Sequence, residues 1–204
     1  MATEPMPASI PHTAGRTPGK FGSDFARVLP HLQLDAEGSA RLAGCGDAVA
    51  ALDMLEQAGL LIEATRLIAH ALPAREAVWW ACMCARHSAA SGADPPAEAA
   101  EEWVRQQTDR HRRAAMQQAE AAGFGSAEAW AAVAAFWSGD SMAPPEAPKV
   151  PPQPHFTGLA VAGAVALAAA RGPATRQEAR LRRYLVAARD IAAGGAGRLE
   201  PEAD

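Results

Sequence analysis

The segment Leu72–Arg86, LPAREAVWWACMCAR, constrains the fold more than any other. Pro73 suits the first turn of a helix, where its missing N–H removes no intrahelical bond. From Ala77 to Ala85 no residue is charged. Successive helical side chains diverge by about 100°, so such a run has no polar face in its middle. A helix that is apolar all round is normally covered on most sides. Trp79 and Trp80 point in different directions and can pack on two neighbours. The segment therefore predicts a central helix inside a shell of others.

The flanking sequence supplies that shell. Asp35 reads as the N-cap of a short helix that ends near Gly44. Asp47–Gln57 places Val49, Leu52 and Leu55 on one side, with Gly59 at its end. Leu60, Ala64, Leu67, Ile68, Ala71 and Leu72 then form one stripe, and the near absence of a loop predicts a helical hairpin. Ser91–Pro96 interrupts the pattern before a helix expected to run unbroken over about Ala97–Ala121, although Gln107 and His111 thin its apolar stripe. Trp130, Val133, Ala134 and Trp137 mark the next helix, and Gly139 closes it.

Six prolines between Ala143 and Pro154 exclude a helix or central strand there and predict a stiff strap across the protein's own tryptophans. Thr157–Arg171 is uncharged until its last residue, yet about fifteen residues is too short to cross a ~30 Å hydrocarbon core upright. The last helix, Thr175–Ala192, buries Leu181, Tyr184, Leu185, Ala188 and Ile191. No segment alternates as a strand does. The expected fold is all-α: an irregular orthogonal bundle of about seven helices, in one domain over residues 23–193. Residues 1–22 are expected to be a disordered arm and 194–204 a flexible tail.

A formal charge of −4 gives no reason to expect a nucleic-acid or membrane partner. The three cysteines, Cys45, Cys82 and Cys84, imply no disulfide framework and favour a cytoplasmic setting. The first twenty residues have no apolar core and do not read as a secretory signal.

Few residues invite chemistry. Cys82 and Cys84 lie two apart on a helix, face opposite ways and cannot share a metal ion, so no metal or cofactor is expected. The histidines are scattered; His70 and His87 flank the central helix and could approach each other. Glu101 and Glu102, followed by Arg105, read as a solvated helix face. The arginines of the last helix read the same way, without the aromatic interleaving that nucleic-acid binding uses. Arg75 and Glu76 open an otherwise apolar helix and form either a cap with an ion pair or a charged lip beside tryptophan surface. Within the strap, PEAP and PKVP are PxxP-like steps.

The strings LIAHALPAREAVWWACMCAR, EEWVRQQTDRHRRAAMQQAEAAGF and AFWSGDSMAPPEAPKVPPQPHFTGLAVAGAVALAA, in that order, carry a resemblance. Over about Asp47–Ala192 the chain resembles an uncharacterised bacterial family, a domain of unknown function. The pairing of LPxREAVWWA with WSGxSxAPP is what makes the likeness specific. The resemblance brings no catalytic residues and implies a setting near type VI secretion genes.

Together these readings predict a non-catalytic accessory or adaptor whose partner is another protein. Arg75, Glu76, Trp80, Trp137, Ser138, Pro144 and Pro145 are its candidate surface. The alternative is a small enzyme or ligand-binding protein with a site around Arg75, Glu76 and His70. Oligomeric state stays open.

Overall fold

The computed structural model describes residue 21, residues 24–89 and residues 94–202. The expected arm at 1–22, apart from residue 21, and the start of the break at Ser91 lie outside the described residues. Among the described residues every regular element is helical: α1 (Phe25–Val28), α2 (Ala36–Arg41), α3 (Ala48–Gln57), α4 (Leu61–Ala71), α5 (Ala74–Ser88), α6 (Pro95–Gln106), α7 (Asp109–Ala121), α8 (Ala127–Trp137), α9 (Phe156–Ala170) and α10 (Gln177–Ala192). Short 3-10 turns follow α1 and precede α10.

Local chemistry sets most boundaries. Asp35, Asp47, Asp94, Thr108 and Ser126 each accept a backbone N–H in the first turn of the helix they open. Gly59, at φ +73°, turns the chain between α3 and α4, a conformation that glycine adopts without the Cβ penalty.

The central helix α5 packs on α4, α6, α8, α9 and α10. It shares its place with α9, which leans on α4, α5, α8 and α10. Alanines at 160, 164 and 168 of α9 are fully buried and let neighbouring helices approach closely. No single helix among the described residues is long and apolar enough to cross a membrane.

The expected long helix over Ala97–Ala121 is two. Gln107 adopts the left-handed conformation (φ 51°), its N–H still bonding Trp103 O at 2.7 Å, and Thr108 starts α7 by capping His111. A left-handed non-glycine residue costs on the order of 1 kcal/mol. In compensation α6 buries Trp103 and Val104 while α7 turns Ala115 and Ala119 into the core.

Charges reach the interior, Glu101 and Arg180 among them although both were expected on solvated faces. Glu101 is buried and pairs with Arg86 (Nη2–Oε2 2.8 Å), and Glu128 is held by Arg171 Nη2 at 2.8 Å from each oxygen. Arg180, only 4% exposed, pairs with Glu202. Burying one charge is tolerable only when its partner comes with it. Glu202 sits in the expected tail, and residues 194–202 are laid along α5 and α10. Trp79 Nε1 donates to Ala196 O (2.7 Å), Glu202 N to His87 O (2.7 Å), and the His87 Nδ1–H to Glu200 O. Each anchor gives the backbone of this segment a partner it would otherwise seek in water.

Candidate functional site

The two sequence motifs meet on one side of the bundle. The start of α5 (Pro73–Glu76), the α6–α7 turn (Gln107–Asp109) and the end of α8 (Ser138–Asp140) enclose a cleft of about 610 Å3. Its wall of Pro73, Ala74, Ser138, Gly139 and Asp140 is shared with a cleft of about 380 Å3, where Trp137 and His70 face Pro151, Pro152 and Pro154 of the strap. His70 and Pro154 are shared in turn with a third cleft of about 580 Å3, rimmed by Asp24, Arg27, His31 and His155. Three depressions thus run together along this side.

Arg112 is the structural centre of the first cleft. Although 3% exposed, it donates Nη1 to Phe136 O (3.0 Å) and Nε to Asp109 Oδ1 (2.9 Å), with its guanidinium 4.9 Å over the Phe136 ring. A Cβ built on Gly139 would overlap Arg112 Nε and lie 2.6 Å from Cζ. Glycine at this point of the WSGD segment is therefore what lets the guanidinium pass. Arg113 donates to the other Asp109 oxygen (2.7 Å) and to Ala143 O (2.8 Å). Arg75 reaches back to Val104 O through Nε (2.9 Å).

The strap is fastened at its root by Ser141. This buried hydroxyl accepts from Ala143 N (3.2 Å) and Val150 N (3.1 Å), and Met142 N closes the loop on Val150 O (2.7 Å). Lys149 pairs with Asp140 across the loop, and Ala147 N to Pro144 O (3.1 Å) makes its tip a turn. Pro144, Pro145, Glu146, Pro148 and Val150 are exposed on it, Val150 to 50%. The turn takes PEAP out of any extended polyproline conformation.

Of the residues expected to form a surface, Arg75, Glu76 and Ser138 share the first cleft, while Trp137 and Ser138 line the second. Pro144 and Pro145 stand at the loop tip. Trp80 is a correction. It is completely buried and its Nε1 donates to Tyr184 O (2.9 Å), so it holds α5 to α10 and offers nothing to a partner. His70 does not join Arg75 and Glu76; it faces the two neighbouring clefts. Nor does it approach His87, which lies under the C-terminal segment with Arg183 Nη1 3.2 Å from its Nε2. Sequence reading missed Arg112, Arg113, Asp140 and Ser141 as site residues. Beyond the local pairs with Asp109, Arg112 and Arg113 reach Phe136 and Ala143 in other parts of the chain, and the partners of Asp140 and Ser141 include Lys149 and Val150 across the loop. The WSGDS string was the available signal.

The second cleft brings together Ser138, His70 and Asp140, the residue types of a hydrolytic triad, without its geometry. The Ser138 hydroxyl donates to Ala135 O (2.6 Å), and Asp140 is engaged by Lys149. A nucleophile needs its base within hydrogen-bond reach. Asp109 is held below the usual carboxylate range by Arg113 and then Arg112, and Asp140 by Lys149. Carboxylates stabilised as anions in this way make poor general bases and good fixed acceptors. Among the described residues no group of His, Cys, Asp and Glu converges to hold a metal ion. The arrangement is equipped to present shape and hydrogen-bonding groups.

A family model of unknown function, DUF6931, matches residues 51–192, from within α3 to the last residue of α10. The chain belongs to this family. Both segments that form the clefts, LPARE and WSGDS, fall inside the matched DUF6931 region, as does the whole strap. No curated protein and no solved structure matches the chain.

Proposed function

We propose that this DUF6931 protein is a non-catalytic adaptor that binds another protein through its strap and the adjoining clefts. The observation that carries the reading is the exposed proline loop fixed at its base by Ser141. A loop already ordered loses little conformational freedom on binding, so its apolar contacts are not spent on ordering it. The cleft beside it supplies acceptors and guanidinium groups of fixed position, suited to a polar rim around an apolar contact. The setting we assign is the bacterial cytoplasm, with the protein a component or cargo of a type VI secretion system, and neither nucleic acid nor membrane as its partner.

The test is affinity purification from the native host with quantitative mass spectrometry. Three forms are compared: the unaltered chain, a loop variant carrying Pro145→Asp and Val150→Asp, and Val186→Asp on exposed α10 surface as control. A partner enriched by the unaltered chain and the control, and lost with the loop variant, supports the reading. Equal enrichment by all three forms, or by none, removes it. A small-ligand site at Arg75 and Glu76 is the second reading, favoured by a cleft volume within the range of small-molecule pockets. Thermal stabilisation by a metabolite, abolished in Glu76→Gln, would establish that reading in place of the first.

A further inference from the structure

Three of the six histidines meet although they come from distant parts of the chain. His31 ends the 3-10 turn after α1, His70 lies in the last turn of α4, and His155 immediately precedes α9 at the end of the strap. The His31 ring is sandwiched, its centroid 4.9 Å from that of His70 at 26° and 4.7 Å from that of His155 at 16°. Among the described residues none of the three rings has a hydrogen-bond or ion-pair partner, and what joins them is face-to-face contact. The seat is shaped for this. A Cβ on Gly158 would overlap His70 Nδ1 and lie 2.7 Å from Cγ and Cε1, so α9 can press on this ring only through a glycine.

The surrounding charges do not favour added protons. On the α1 side Asp24 and Arg27 line the shared cavity, one of each sign, and the Asp24 carboxylate is already engaged with Ala26 N. On α4, Glu63 and Arg66 face each other at 3.9 Å, and Arg66 donates to Leu32 O. Asp140, in the cleft on the other side of His70, is held by Lys149. Asp53 and Glu56 of α3 are taken by Arg189 of α10, and α9 carries no charged residue. Two imidazolium ions stacked in contact would therefore repel with little compensation.

We propose that the His31–His70–His155 stack is a pH-sensitive clasp, which holds the α1 segment and the end of the strap onto α4 and opens on mild acidification. Burial, then the neighbouring His31 and His155, bring the His70 pKa down to about 4; burial, then His155, lower that of His31. Released rings titrate near their ordinary value of about 6.5. The closed form thus binds fewer protons than the open one. Its advantage is complete above about pH 6.5 and is lost as pH falls from there toward about 4. Each proton taken up on opening changes the open-to-closed ratio about ten-fold per pH unit within that window, and two protons about a hundred-fold. Opening frees the face of α4 covered by α1 and the turn after it, where Val28 and Leu32 are buried. The clasp would thereby expose an apolar surface on demand, and it stands independently of the adaptor reading.

Hydrogen exchange of the full chain between about pH 7 and about pH 5, corrected for the intrinsic rate, tests this. In the unaltered chain, protection of the Phe25–Leu32 amides should fall at least about ten-fold while α5 keeps its protection. His31→Phe keeps a flat ring without a proton and should make the fall several-fold smaller. His31→Phe combined with His70→Phe, which removes both rings of lowered pKa, should shrink it to under about three-fold. Unchanged protection in the unaltered chain overturns the proposal, as does a loss shared with α5 or an undiminished loss in the variants. If neither variant retains the native near-UV spectrum, histidine Cε1–H NMR titration of the unaltered chain decides. Two of the three resonances titrating well below about 6.5 support the clasp, and all three at or above it refute it.

Discussion

Substituting Gly139 by alanine tests whether the WSGD segment is kept for the passage of Arg112. The backbone of Gly139 is outside the left-handed region, so alanine is conformationally acceptable and any penalty comes from space. The new methyl group would displace the guanidinium from its bond to Phe136 O, its stacking on that ring and its bond to Asp109. A buried hydrogen bond from a charged donor contributes about 1.5–3 kcal/mol. The link to Asp109, whose side chain is 52% exposed, adds at most about 1 kcal/mol after screening. Gly139→Ala should therefore destabilise the protein by about 2–4 kcal/mol. Arg112→Ala should cost a similar amount, and on that background Gly139→Ala should cost under about 0.5 kcal/mol, because the three atoms nearest the new methyl group all belong to the Arg112 side chain. Urea denaturation followed by tryptophan fluorescence supplies all four corners of the cycle, with equal m-values as the check on two-state behaviour. The same penalty for Gly139→Ala with and without Arg112 would refute the steric argument.

Three further outcomes follow from other parts of the molecule. Ser141→Ala should cost about 1–2 kcal/mol and speed amide exchange at Ala143 and Val150 while α5 is unaffected; unaltered exchange there would show that the hydroxyl does not fasten the strap. Alkylation of the native protein at mildly alkaline pH should modify Cys45 alone, since burial pushes the Cys82 and Cys84 thiols well above their usual range; all three should react in denaturant, and more than one reactive thiol in the native state contradicts this. Glu202→Gln should destabilise by about 1–3 kcal/mol by leaving Arg180 without its counter-charge. Arg180 holds the Glu202 carboxyl below its usual value, so this contribution is present above about pH 4.5 and lost as pH falls through the lowered value. An acid-stability curve for Glu202→Gln that matches the unaltered chain would contradict it.

The sequence carried the helices well because their signals are local. Asp35 caps a helix where it was expected to, the helix read from Asp47 is capped by that residue, and Ala77–Ala85 is buried, apart from half-buried Trp79, as its missing polar face requires. The break at Gln107 was faint because glutamine is an ordinary helix former; only the thinned stripe and a following Thr108 marked it. Buried Glu101, Glu128, Arg112 and Arg180 were illegible for another reason. A charged residue looks solvated until its partner is known, and the partners of Glu128 and Arg180 lie in other elements or beyond the last helix. The candidate site divides in the same way. Arg75, Glu76, Trp137 and Ser138 emerged from motif strings, but that LPARE and WSGD face one another is a tertiary fact. Trp80 was read both as packing on a neighbour and as a surface candidate, because in a helix apolar all round periodicity does not choose between adjacent positions; it is wholly core. The histidine stack had no linear signature at all.

The docking of residues 194–202 bears on how pieces of this molecule should be cut. The family match begins inside α3 and stops at residue 192. A fragment made to those limits would halve one helix and remove the carbonyl and carboxylate that satisfy His87 and Arg180. An imidazole and a cation would then be stranded at a newly opened seam. Expression clones should span at least Phe25 to Glu202, and shorter ones invite aggregation that would be mistaken for a property of the family.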